Sequence, residues 1–226
     1  MNITDKQKKT IEQIINCFET GAPQGRYGQV SIMADGPRGA RQITYGRSQT
    51  TEYGKLPMLI LDYVCAGGLY SSKFKPYVDK IGKIPLVNDV DFKTLLKQAG
   101  EMDFVMCQVQ DRFFDKQYYK PALRWSEERG FKLPLSLLVV YDSFIHSGSV
   151  LDFLRKRFKE MPPSSNGDEH AWIKAYVQTR KIWLMKHPDQ LLRNTVYRMD
   201  CIEREIMRNN WELLMLPIVA NGATVR

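Results

Sequence analysis

Two carboxylates and one hydroxyl carry the chemistry this sequence offers most directly: Glu19, Asp35 and Thr44. Hydrolysis of a glycosidic bond needs one protonated carboxyl to hand a proton to the leaving oxygen. A second, ionised carboxylate then activates water or attacks the sugar directly. Such groups are most simply held apart on two rigid elements. Glu19 closes a predicted helix, and Asp35 follows 16 positions later, at the end of a predicted strand. Thr44 lies on the returning strand, where its hydroxyl can hold a water for Asp35 to deprotonate. By themselves, a Glu near a helix end and an Asp-Gly in a hairpin turn are structural commonplaces.

The elements that must position these groups can be read from local pattern. Thr4 or Asp5 caps a first helix in which Ile11, Ile14, Ile15 and Phe18 recur at helical spacing, and Gly21 and Pro23 stop it. Glu19 therefore sits in a last turn, where the helix dipole disfavours an anion, so something other than helix stability keeps it there. Residues 27–34 and 41–45 read as a hairpin around the turn-rich stretch 35–39, the only clear β signal. Helices follow at 56–66, with Pro57 in the first turn, and at 73–81, 91–98, 103–129, 134–145, 170–186 and 196–209. The stretch 134–145 is apolar on nearly every face and reads as a central buried helix. Residues 161–168 form the clearest loop, a connector rather than a lid.

The bulk properties narrow the class. With 226 residues, 43% hydrophobic and 26% charged, the chain is an ordinary globular one, and it contains no run of about 18 apolar residues that could span a membrane. The three histidines, His146, His170 and His187, lack metal-ligand spacing, so neither metal nor cofactor is expected. Cys17, Cys65, Cys107 and Cys201 show no paired spacing and read as buried free thiols. A net charge of +8 points to an anionic partner, but Lys and Arg are spread along the chain, which makes a nucleic-acid reader an unlikely class. Met1 to Lys6 shows no charged-then-apolar leader. The expectation is a protein made and kept in the cytoplasm, one exported by another machine, or one whose leader has been removed; a wall hydrolase would act at the cell wall, in the periplasm or outside the cell.

Several stretches in order resemble the family 46 glycoside hydrolases, the chitosanases of the lysozyme superfamily. They are Phe18-Glu19-Thr20-Gly21 and the hairpin from Asp35-Gly36 through Arg38-Gly39 to Thr44-Tyr45-Gly46. Downstream come Gln110-Asp111-Arg112-Phe113-Phe114-Asp115 with Pro121-Ala122, Tyr141-Asp142-Ser143 with His146-Ser147-Gly148, Gly167-Asp168-Glu169, Thr179-Arg180-Lys181, and Arg198 with Asp200 and Arg204. The hairpin is several residues longer than is usual in the family. The resemblance implies an α+β, predominantly helical, lysozyme-like two-lobed fold. It would be one catalytic domain over 1–226, with a small β-containing lobe at about 22–54. It also implies an endo-acting, inverting enzyme with Glu19 as acid, Asp35 as base and Thr44 positioning water, and with Asp142, Arg180 and Arg198 in an ionic network behind them. Independently, Asp142 in an apolar helix needs a cationic partner.

The expected substrate-binding residues are Tyr27, Arg41, Tyr45, Glu52 and Lys55, with Glu52 also open as the base. Tyr118, Tyr119 and Trp125 are further aromatics that could stack on sugar, although aromatics at helical spacing are mostly core. Lys55 stands where the family places a carboxylate for its cationic polymer. That substitution and the +8 charge favour an acidic glycan, so peptidoglycan is the expected polysaccharide and chitosan the alternative. On the peptidoglycan reading the chain would be an antimicrobial endolysin or a delivered toxin effector, with an inhibitory immunity protein as a candidate partner. The competing class is a catalytically inactive wall- or nucleic-acid-binding module on the same scaffold.

Overall fold

The computed structural model describes residues 1–47 and 49–226. The chain forms two compact units, one built from residues 1–23 and 116–226 and the other from residues 24–115.

The first unit starts with α1 (Asp5–Thr20). Thr4 and Gln7 form a reciprocal capping box, worth about 1 kcal/mol, and Gly21 at φ 69° ends the helix by donating its N–H to Cys17 O. The apolar stripe of α1 packs on α7 (Pro134–Ser147), whose residues 134–143 are all buried. Around this pair lie α6 (Lys120–Glu128), α8 (Asp152–Arg155), α9 (Glu169–Met185), α10 (Gln190–Arg193) and α11 (Tyr197–Met207). Each large aliphatic or aromatic residue of this core contributes roughly 1.5–3 kcal/mol by leaving water. The unit ends in a hairpin, β4 (Ile218–Ala220) and β5 (Ala223–Val225), which packs on α1. Sequence reading missed this hairpin although Asn221-Gly222, a strong two-residue hairpin signal, stands at its turn.

The second unit contains an antiparallel sheet, β1 (Val30–Met33), β2 (Gln42–Tyr45) and β3 (Thr50–Thr51), in the order β1-β2-β3. Helices α2 (Leu56–Cys65), α3 (Ser71–Val78), α4 (Val90–Met102) and α5 (Phe104–Phe114) complete it. Ile43 and Tyr45 point from β2 into its core. The alternation of a strand sends Gln42 and Thr44 to the opposite face, and this alternation fixes which β2 residues can do chemistry. The 103–129 stretch read as one long helix. It is helical throughout but passes through a π-helical segment, Asp115–Tyr119, between α5 and α6. All four cysteines are unpaired; Cys65 is exposed rather than buried as expected, because it ends α2 on its outer side. Among the described residues no helix is long and apolar enough to cross a membrane.

Candidate active site

In the first unit, α1 delivers Glu19 two residues before its C-terminal cap, with the side chain about 10% exposed. Arg198, in the first turn of α11, donates from Nη2 to Glu19 Oε1 at 2.7 Å and from Nη1 to Asp142 Oδ1 at 2.8 Å. Asp142, wholly buried on α7, also receives Arg180 Nη1 from α9 at 2.6 Å. Arg180 continues to Ser143 Oγ at 3.0 Å, which meets the Tyr176 hydroxyl at 2.9 Å, and its Nη2 lies 3.1 Å from His146 Nδ1. The expected ionic network thus exists as a chain of contacts from Glu19 to His146.

The electrostatics follow from that geometry. The buried Asp142 lies between two guanidiniums, Arg180 and Arg198, so its charge is answered inside the protein. Burial alone would raise the Asp142 carboxyl, but Arg180 and Arg198 bring it below the usual carboxylate range. Burial works against the Arg198 charge, yet Glu19 and Asp142 outweigh it and hold the guanidinium ionised more firmly than normal. His146 is pushed down to about 3 by burial and by repulsion from Arg198 and Arg180. It is therefore neutral at ordinary pH. Because Arg180 can only donate, the His146 Nδ1 must be the acceptor, which leaves the proton on Nε2. Burial, and then the Glu19 charge, raises the Tyr118 hydroxyl to about 12. The dipole penalty on Glu19 is thus answered by a fixed cation, Arg198, whose guanidinium lies 5.4 Å from the centre of the Phe18 ring.

In the second unit, Asp35 is exposed just beyond β1, and Gln42 Nε2 donates to its Oδ1 at 2.9 Å. The lengthened turn between β1 and β2 is closed by Gly36 N–H to Ala40 O at 2.9 Å, with Arg38 and Gly39 in left-handed conformation. Thr44, 4% exposed, donates to Gln49 Oε1 at 2.8 Å and lies 3.4 Å from Ser31 O, its partner across the β1–β2 ladder. Tyr27 donates its hydroxyl to Asp111 at 2.9 Å, and Arg47 also pairs with Asp111. Gln110 ties this corner together by accepting from Arg47 N and donating to Tyr27 O. At Gly46, φ 80°, a Cβ would come within 2.3 Å of Gln110 Oε1, so glycine is required there.

Two expected sugar contacts are corrected by burial. Tyr45 is fully buried in the core of its unit and has no face to offer a ligand. Glu52 is also fully buried, and its two oxygens accept from Ile43 N at 3.0 Å and Leu86 N at 2.7 Å. Its carboxylate holds the 82–86 segment to β2, so it is not available as a base. Arg41 is exposed, whereas Lys55 is half-buried at the start of α2 and its ammonium is lowered by desolvation. Tyr119 is buried, while Tyr118 and Trp125 pack against the hydrophobic core of the first unit. Sequence reading gave no role to Gln42, Gln49, Ser143 or Tyr176. Only the two glutamines carried a signal, as long amides on and beside a short strand. Among the described residues no cluster of His, Cys, Asp and Glu is arranged to hold a metal.

The sequence model of Glycosyl hydrolase family 46 matches residues 13–218, nearly the whole chain. This protein belongs to glycosyl hydrolase family 46. It is accordingly an O-glycosyl hydrolase on a lysozyme-like fold. The family member is 27% identical over 225 residues to a chitosanase of Bacillus subtilis (strain 168), covering 92% of this chain and 79% of that protein. Its fold matches the native chitosanase from Bacillus subtilis MY002 with a TM-score of 0.85, at 23% identity and 100% coverage of both chains. It also matches a Gynuella sunshinyii chitosanase, solved in complex with chitotetraose, with a TM-score of 0.80 at 24% identity, covering 99% of this chain and 98% of that one.

Proposed function

We propose that this family 46 enzyme is an endo-acting chitosanase that inverts the anomeric centre, with Glu19 as general acid, Asp35 as general base and Thr44 holding the water. The observation that carries the reading is Glu19 bound to Arg198 and, through it, to the buried Asp142 and Arg180. A carboxyl on a helix C-terminus would lack support without that cation. When Glu19 gives its proton to the leaving oxygen, Arg198 faces the carboxylate that forms and stabilises it without reorganisation. Asp35 takes a proton from water, the water oxygen bonds to the anomeric carbon, and the glycosidic C–O bond breaks with its electron pair on the leaving oxygen. Tyr27 and Arg41 remain the proposed sugar contacts, with Lys55 as a specificity position.

The expectation of peptidoglycan gives way to chitosan. It rested on net charge and on Lys55, but charge spread over a whole chain does not set the sign of one subsite. Exposed charges are screened within about 10 Å at 0.1 M salt. The relatives named above are chitosanases, and one was solved in complex with chitotetraose. The effector, antimicrobial and immunity-partner expectations depended on peptidoglycan and lose their ground with it. The test is reducing-end release from soluble chitosan and from purified peptidoglycan, side by side, for wild type and Glu19→Gln. Chitosan cleavage reduced by about 10²–10⁴-fold in the variant supports the assignment, as expected for loss of a general acid. Release of muropeptides alone would restore the peptidoglycan reading. Proton NMR of the first product should show the anomer opposite to that of the substrate linkage.

A further inference from the structure

The second unit surrounds its two reactive groups with neutral amides, and hydrogen-bond logic shows that the amides have opposite duties. Gln42 is almost fully buried on β2, with Oε1 accepting Tyr53 N–H at 3.2 Å and Nε2 donating to Asp35 Oδ1 at 2.9 Å. The Tyr53 N–H can only donate, so the amide cannot be flipped, and the group facing Asp35 is a donor. Gln49 is fixed in the reverse sense. Its Nε2 donates to Gly46 O at 3.0 Å, so Oε1 faces Thr44 Oγ at 2.8 Å. Both groups near Thr44 Oγ, Gln49 Oε1 and Ser31 O, can only accept, so the hydroxyl proton is committed and the oxygen keeps its lone pairs for an incoming donor. Gln49 holds this pose at φ 50°, a left-handed backbone that costs energy for a non-glycine residue.

We propose that Gln42 and Gln49 are positioning residues that set the hydrogen-bond polarity of the Asp35–Thr44 pair, Gln42 as an obligatory donor and Gln49 as an obligatory acceptor. Gln42 occupies one Asp35 oxygen and leaves the other as the base. Gln49 makes Thr44 an acceptor, so a water can donate one hydrogen to Thr44 and one to Asp35. Its lone pair is then kept for the anomeric carbon. The inference rests on the roles proposed above for Asp35 and Thr44.

Exchange of each amide for a carboxylate separates these duties from packing, because glutamate has the shape of glutamine and, when ionised, only accepts. Steady-state kinetics on chitosan at pH 7 should show kcat reduced about a hundredfold in Gln42→Glu with KM nearly unchanged, the scale of a misplaced reacting group. Gln49→Glu keeps an acceptor towards Thr44 but gives up the amide N–H on Gly46 O, so it should lose about tenfold in kcat, well short of Gln42→Glu. Gln49→Met, which lacks the acceptor too, should lose more than Gln49→Glu. As pH falls and the introduced Glu at position 42 protonates, its O–H can donate again, so the ratio of Gln42→Glu to wild-type kcat should rise, which a purely structural role would not produce. Equal losses in the two glutamate variants, or wild-type kcat in Gln42→Glu, would overturn the inference. Asp35→Asn assayed in parallel separates the two levels. Wild-type kcat in that variant would remove the base assignment itself, whereas an inactive Asp35→Asn beside a fully active Gln42→Glu would remove only the role of Gln42.

Discussion

The two units hold the carboxyls proposed as acid and base, Glu19 and Asp35, by different physics. In the first, Glu19 is nearly buried and secured by Arg198, and the supporting atoms are themselves charged and sealed from water: Asp142, Arg180 and Arg198. In the second, Asp35 is exposed and secured by one neutral amide, while a fully buried carboxylate of that unit, Glu52, is spent on backbone N–H groups. A buried acid needs a fixed counter-charge, because no water is there to stabilise the anion it becomes. An exposed base already has water around it, and neutral donors orient it without cancelling its charge. Carboxyl groups are thus held in quite different ways here, according to their surroundings.

This contrast can be broken or sharpened by measurement. The largest effect on stability should come from Asp142→Ala, which takes the carboxylate from the buried Arg180 and leaves Arg198 with Glu19 alone, and should cost about 3–5 kcal/mol in urea unfolding. If the loss were below about 1 kcal/mol, the charge-based account of the first unit would fail. Glu52→Ala should follow at about 2–4 kcal/mol, because Ile43 N–H and Leu86 N–H each lose a buried acceptor at about 1–3 kcal/mol. A Glu52→Ala protein that is stable yet catalytically dead would reopen Glu52 as the base.

A smaller effect is expected in the pH dependence of stability. His146 has its folded-state value lowered from the ordinary 6.5 to about 3. Between those values the unfolded chain binds a proton that the folded one refuses, so this residue makes stability fall as pH drops from about 6.5 towards about 3. His146→Gln, which can still accept from Arg180, should flatten that slope by an amount on the order of a few kcal/mol across the window. Comparison of urea midpoints at pH 7 and pH 4 in both proteins decides it, and an unchanged slope would dissociate His146 from the acid loss of stability. The smallest effect should be Thr4→Ala, about 1 kcal/mol from the lost cap at the far end of α1. Its kcat should be unaltered, since Glu19 is held by Arg198 rather than by the start of its helix.

Much of the scaffold was legible in local pattern. The 3.6-residue stripe of Ile11, Ile14, Ile15 and Phe18, the Thr4 cap and the Gly21 stop specify α1, and so place Glu19 in its last turn. The unbroken apolarity of 134–143 specifies a buried helix, and Asp142 within it demands a cation by desolvation cost alone. The polar matrix around those residues was harder to see. Tyr45 and Glu52 looked like sugar contacts because aromatics and acids beside a reactive hairpin commonly are. Both are interior, since strand alternation turns Tyr45 to the core and the 82–86 segment folds over Glu52. The hairpin at 218–225 was overlooked beside the helical pattern, although its Asn-Gly turn was in plain view.

The sequence alone determined the catalytic candidates, the helical framework and the need to neutralise Asp142, because capping, periodicity and the cost of a buried charge act over a few residues. Only the tertiary structure decided which cations meet Asp142, that Arg198 also reaches Glu19, that Gln42 rather than Glu52 accompanies Asp35, and which way each amide faces. Those choices join positions as far apart as 19 and 198, and no local propensity reports them. They are set when packed helices and a twisted hairpin decide which distant side chains come within hydrogen-bonding reach of one another.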